Sequence, residues 1–184
     1  MQVRNRGTVG GAIAHADPAS DLPALALALD YEVVLRSKRG ERVVPIDGFL
    51  QGAFTSDIAA DEILTSLRRG PLPAGAQGSY QKMEHPASGY SIVGVCAVVA
   101  RSGGSVSHAR VALTGVGDVA YRAKAVEAAL TGSDGSPAAV TAAAEHAADG
   151  QTVNDDIHAS RDYRTRMAVV YTRRAIEAAL AGPA

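Results

Sequence analysis

Ser91-Ile92-Val93-Gly94-Val95-Cys96-Ala97-Val98-Val99-Ala100-Arg101 is the stretch from which the fold of this chain is read. The run is short, rich in valine and stopped by Ser102-Gly103-Gly104, which describes a buried strand. Its roughly ten apolar residues fall far short of the roughly 20 that cross a bilayer as a helix. Across the glycine pair, SHARVALTGVG (107–117) is its natural partner. Three helices are predicted beyond it, Arg122 to Leu130, Pro137 to Ala148 and Ser160 to Leu180, each preceded by Asp, Ser or Gly. In the last, Tyr163, Met167, Val170, Tyr171 and Ile176 fall near one face at helical spacing, with Arg164, Arg166, Arg173 and Arg174 on its flanks. Towards the N-terminus, Asp21 is placed to cap a short buried helix over Leu22 to Leu29, with Pro23 in the first turn. Tyr31 to Ser37 and Arg42 to Ile46 read as a hairpin, and Ile63 to Leu67 and Ser79 to Met83 as strands flanking the proline-rich loop 70–78. The fold class is α+β. A division near Gly89 separates residues 1–88, an α+β part, from residues 89–184, a small antiparallel sheet backed by three helices.

Composition bounds what such a fold does. The chain has 184 residues, 47% hydrophobic and 20% charged, enough to pack a core and too little charged to be disordered. The net charge is -1 and no stretch concentrates one sign, which argues against a nucleic-acid or anionic-membrane surface. Cys96 stands alone, so no intrachain disulfide forms and a cytoplasmic location is expected. Nothing in Met1 to Gly7 resembles a secretory h-region, and no membrane span is expected.

Chemistry concentrates near the N-terminus. Gly10 and Gly11 allow backbone amides to approach an anion without a Cβ in the way, and Thr8 adds a hydroxyl, so a phosphate could sit on this turn. An ordinary structural turn reads the same residues. His15, Asp17 and Asp21 invite a metal ion, against helix capping by Asp21 and a plain alanine-rich turn around His15. No GxSxG elbow supports hydrolysis, His85 reads as a loop residue, and Cys96 reads as a small hydrophobe in a strand.

The run RNRGTVGGAIAHADPASDLPALALALDYEVVLRSKRGERVVPIDGF (4–49) resembles the second half of the FAD-binding domain in the flavoprotein (medium) subunit of molybdenum hydroxylases, the carbon monoxide dehydrogenase and xanthine dehydrogenase family. The shared pattern is T-I/V-G-G, then A-D-P, then D-L-P, followed by the hairpin. The resemblance continues through GSYQKMEHPASGYSIVGVCAVV (78–99) and VNDDIHASRDYRTRMAVVYTRRAIEAAL (153–180), which is similar to that family's C-terminal domain, and so covers nearly the whole chain. It implies a fold of an incomplete FAD-binding subdomain followed by a small antiparallel sheet backed by three helices.

The resemblance also implies roles. Thr8, Val9, Gly10, Gly11 and Ala12 match the loop that touches the FAD diphosphate and ribityl chain, Ala12 standing where Ser or Asn is common. Asp21 matches a carboxylate used toward the adenosine ribose, Ile63 and Lys82 match positions lining the flavin, and Tyr90 matches one lying against the isoalloxazine ring. Electrons would pass from a 2Fe–2S small subunit through FAD to an external acceptor, beside a molybdenum large subunit. The family's N-terminal subdomain, with a second motif of the A-G-G-T/Q-D/N/S kind, does not precede Met1, so FAD binding by this chain alone is expected to be weak. Apolar surface from Ala12 to Leu29 is expected to be exposed and covered by a separate N-terminal FAD half, another subunit or a second copy in an oligomer. Two rivals stay open: a cofactor-free scaffold or assembly module, and a small-anion binder using the Gly10-Gly11 turn alone.

Overall fold

The computed structural model describes residues 5–182. The first elements are α1 (Val9–His15), α2 (Asp21–Ala28), β1 (Glu32–Ser37), β2 (Gly40–Pro45), α3 (Ile46–Phe49), β3 (Leu50–Gly52), β4 (Thr55–Ser56) and β5 (Ile63–Arg68). There follow β6 (Gln77–Glu84), β7 (Ser91–Ser102), β8 (Ser105–Thr114), β9 (Tyr121–Arg122), α4 (Lys124–Leu130), α5 (Pro137–Ala144) and α6 (Arg161–Ala181). The strands form an antiparallel sheet of order β2-β1-β5, a small β3-β4 ribbon and an antiparallel sheet of order β6-β7-β8-β9. The mixed α+β class is that of the sequence reading. β6 pairs with β7 from Gln77↔Val99 to Glu84↔Ser91, so the larger sheet begins at Gln77, before residue 88.

β7 explains why its sequence is continuously apolar. Val93, Val95, Ala97 and Val99 share one core with Val126 and Leu130 of α4 and with Ala168, Ala175 and Ile176 of α6. Alternate residues Cys96 and Val98 belong to a second core with Ala24 and Leu27 of α2, Val33 and Leu35 of β1, and Phe49. A central strand covered on both faces has no polar alternation to show. The sheet is thus not only backed by helices but sandwiched, with α2 and the smaller sheet's core on its other side.

That second layer overturns the expected exposure of Ala12 to Leu29. Ile13, Ala16, Ala24, Ala26, Leu27 and Ala28 are buried within the chain itself, because α2 packs across β7 and β8. Asp30, just beyond α2, ties the two layers together: its carboxylate accepts from Arg110 Nε at 2.9 Å and Arg122 Nη1 at 3.2 Å.

The C-terminal elements depart from expectation in detail. The helix expected from Arg122 starts at Lys124, because Tyr121 and Arg122 instead add a short strand beside Ala112 and Leu113. The helix expected to Ala148 ends at Ala144 and continues as turns. Ser160 caps α6, accepting from Tyr163 N–H, but the buried stripe is Arg164, Ala168, Thr172, Ala175, Ile176 and Ala179. Small side chains let the helix approach the sheet closely, which leaves Tyr163 exposed and Met167, Val170 and Tyr171 half-buried. Arg164, expected on a flank, is buried because it serves the sheet's end: Nη1 donates to Ile92 O at 2.9 Å and Gly115 O at 2.7 Å, and Nη2 to Asp156 at 2.6 Å.

Candidate functional site

Thr8 to Ala12 are not a free turn but the start of α1. Thr8 is extended at the N-cap, its Oγ1 accepts from Gly11 N–H at 3.0 Å, and its carbonyl accepts from Ala12 N–H at 3.0 Å. The N–H groups of Val9 and Gly10 have no carbonyl of the helix to meet. Both glycines also have local steric reasons: a Cβ on Gly10 would lie 3.3 Å from Leu64 Cδ2 of β5, and one on Gly11 would lie 2.8 Å from Thr8 Oγ1. The Gly10 contact sets this helix start beside β5, where Ile63 is 69% exposed.

Asp21, Lys82 and Tyr90 form a second group. Asp21 does not cap α2. Ser20 holds the cap position and makes no side-chain bond there, while Asp21 is the first helical residue and turns its carboxylate to the large sheet. Its Oδ1 accepts from Tyr80 Oη at 2.6 Å and Ser91 Oγ at 2.7 Å, and its Oδ2 from Lys82 Nζ at 3.0 Å. Partial burial pushes the carboxyl up, but the bonds from Ser91, Tyr80 and Lys82 together outweigh it and hold Asp21 below the usual carboxylate range. Burial, reinforced by the Asp21 bond, pushes the Tyr80 phenol well above its ordinary value, so it acts here only as a neutral donor.

Lys82 Nζ also donates to Gly89 O at 2.9 Å, fixing the β6–β7 turn. In that turn His85 N–H donates to Tyr90 O and Gly89 N–H to His85 O, each at 2.8 Å. Gly89 takes a φ of +74°, which its lack of a Cβ permits. The turn delivers Tyr90 to the surface, 52% exposed. Two clefts share Ala19, Ser88 and Tyr90 in their linings. One, of about 240 Å³, contains Asp21 and Gly89; the other, of about 350 Å³, contains His85, Asn154, His158 and Arg164.

The metal reading does not hold. Asp21 turns to Tyr80, Ser91 and Lys82 of the large sheet, Asp17 Oδ1 accepts from Ala19 N–H at 2.9 Å in its own turn, and His15 packs on Phe54, so the three side chains each serve a different neighbour. Among the described residues no group of three His, Cys, Asp or Glu side chains converges. Cys96 is buried, and burial pushes its thiol up to about 12, in keeping with a small hydrophobe. Sequence reasoning missed Tyr80, Ser91 and Gly94. The available signal was the two-residue strand period, which puts Tyr80 on the same face as Lys82, and a glycine inside an otherwise branched strand.

The α+β chain thus carries a glycine-rich helix start beside β5 and a cleft between the start of α2 and the β6–β7 turn that presents a carboxylate and an exposed tyrosine. Residues 78–179 match the CO dehydrogenase flavoprotein C-terminal domain, and residues 1–69 match the FAD binding domain in molybdopterin dehydrogenase. The chain belongs to this flavoprotein family, and FAD is the cofactor of the domain it matches. It is 38% identical to the carbon monoxide dehydrogenase medium chain of Hydrogenophaga pseudoflava over 98% of this chain and 63% of that one. It is 34% identical to the 6-hydroxypseudooxynicotine dehydrogenase complex subunit alpha of Paenarthrobacter nicotinovorans, over 97% of this chain and 61% of that protein. The solved structure of carbon monoxide dehydrogenase from H. pseudoflava superposes with a TM-score of 0.93 at 41% identity, covering 98% of this chain and 63% of that one. Quinoline 2-oxidoreductase from Pseudomonas putida 86 gives 0.88 at 33% identity, over 97% and 62%. The chain therefore spans less than two thirds of the length of these relatives. Among the described residues no helix is long and apolar enough to cross a membrane.

FAD asks for amide and hydroxyl donors at a diphosphate, an acceptor for sugar hydroxyls and an aromatic face. Thr8 with the opening amides of α1, the Asp21 carboxylate and the exposed Tyr90 ring are of those kinds, and the chemistry of the donor set fits the cofactor.

Proposed function

We propose that this chain holds FAD along the seam between its two sheets and serves as the electron-transferring flavoprotein of a molybdenum hydroxylase. Thr8, Val9, Gly10, Gly11 and Ala12 would face the diphosphate and ribityl chain, Asp21 the sugar hydroxyls, and Ile63, Lys82 and Tyr90 the flavin side. Bound FAD would supply the redox chemistry, taking electrons from a 2Fe–2S subunit and handing them to an external acceptor, with substrate oxidation on a molybdenum subunit. Lys82 holds the turn that carries Tyr90, and Asp21 keeps an ionised acceptor at the cleft. No residue of this chain is asked to act as nucleophile or general base. We also propose that the division between the FAD-binding part and the C-terminal part falls in the connection between Arg68 and Gln77, where one sheet ends and the next begins.

The observation that carries this reading is the meeting of Asp21 and Tyr90, distant in sequence, on one surface cleft, with Lys82 Nζ bonded to Asp21 and to Gly89 O beside it. The test is an FAD titration followed by flavin fluorescence. Weak binding is expected for the wild-type chain alone. Asp21→Asn should weaken it about 10- to 100-fold, the worth of a hydrogen bond to a charged group, and Thr8→Ala should weaken it less. Equal affinity in Asp21→Asn, or no FAD binding even when a family N-terminal FAD subdomain is supplied in trans, would overturn the reading.

A further inference from the structure

We propose that Tyr80 and Ser91 are positioning residues that aim the Asp21 carboxylate at a sugar hydroxyl of the ligand, and that Gly94 is glycine to make room for them. The inference rests on the FAD reading above and goes one shell behind it. Oδ1 of Asp21 is filled from behind by the Tyr80 and Ser91 hydroxyls, and Oδ2 is reached by Lys82 alone. Both hydroxyls come from the large sheet, so the carboxylate is held from that side while Asp21 lines the 240 Å³ cleft. An aspartate free to rotate at a helix start would instead serve its own first-turn amides.

Gly94 stands directly behind this arrangement. A Cβ there would lie 2.9 Å from Ser91 Oγ and from Thr114 Cγ2 of β8 and closer still to Tyr80 Oη, nearer than real Cβ atoms come. Its φ is not positive, so the backbone does not require glycine and the reason is space alone. In the register Lys82 pairs with Gly94 and Tyr80 with Cys96. The missing side chain on β7 thus leaves the gap into which the phenol leans. The chemical class recognised is a vicinal diol, as a ribose or a ribityl chain offers, since an ionised carboxylate accepts hydroxyl protons and repels phosphate.

The experiment uses the full chain and two readouts. Carbon-detected NMR of the Asp21 carboxyl gives its titration, which is also felt by Tyr80 and Lys82 of β6 and by Ser91 of β7. Tyr80→Phe and Ser91→Ala keep the core shape, and each should raise the Asp21 midpoint. Affinity is read with FAD, with ADP, which carries the ribose, and with FMN, which carries the ribityl chain. Each variant should weaken FAD about 3- to 10-fold, with the loss shared by ADP if the diol is ribose and by FMN if it is ribityl. An unmoved Asp21 midpoint, or unchanged affinity beside a clear loss in Asp21→Asn, overturns the positioning role while leaving the FAD reading intact. Equal affinity in Asp21→Asn overturns the FAD reading, and with it the ligand-directed part of the proposal. A fall in thermal stability with equal affinity for all ligands assigns the pair to folding alone and also overturns it.

Discussion

β7 and β5, strands of two different antiparallel sheets, do opposite work. β7 is covered on both faces, with Val93, Val95, Ala97 and Val98 almost wholly removed from water. β5 is an edge strand of the smaller sheet, its Ile63 side chain left in solvent beside the start of α1. Burying a Val or Ile side chain stabilises by about 1.5–3 kcal/mol, so the larger sheet holds the fold while the smaller one presents surface. The candidate site lies between these extremes: Asp21 and Lys82 are half-buried against β7, and Thr8 and Ile63 are on the open side.

The sharpest way to break this contrast is to put the same charge on both strands. Val95→Asp should cost more than about 4 kcal/mol or prevent folding, because the carboxylate has no partner in the core, whereas Ile63→Asp should stay within about 0.5 kcal/mol. Urea unfolding measures both, and comparable losses would show that the two sheets share the load. Next in size, Arg164→Met strips donors from the carbonyls of Ile92 and Gly115 at the end of the large sheet, and should cost about 3 kcal/mol in the same assay. Thr8→Ala, on the open side, removes only the α1 cap bond and should cost about 1 kcal/mol.

The smallest effect expected is electrostatic and lies on the smaller sheet. Hydrogen bonds from Arg42, helped by the Ala59 amide, hold Glu62 at about 2 against an ordinary 4.5. A depressed carboxylate stabilises above its unfolded value and loses that contribution as pH falls through its folded one. The acid limb between pH 4.5 and 2 should therefore flatten in Glu62→Gln, with a loss of stability at pH 7 matching the flattening and kept small by the partly exposed Arg42. An unchanged limb would assign the acid sensitivity to Asp21 or Asp156, both also held low.

The β6, β7 and β8 strands, the hairpin of β1 and β2, and α6 were legible because each rests on local information: apolar period and turn residues. The string from Thr8 to Asp21 was legible for a different reason, its ordered resemblance to a flavoprotein family, which the matches to residues 1–69 and 78–179 bear out. What stayed hidden was pairing between distant segments. Arg164 looked like a surface arginine because its partners, two carbonyls at the ends of β7 and β8, carry no side-chain signature. Asp21 looked like a helix cap because a local hydrogen bond costs little loop entropy, yet it is claimed by Tyr80, Lys82 and Ser91, donors that exist only once β6 and β7 are paired and α2 lies across them. The sequence by itself determined the element types, the buried central strand and the family. The tertiary structure alone decided which faces are covered and where the Asp21 carboxylate points, because burial and hydrogen bonding between distant segments depend on layers that no local pattern encodes.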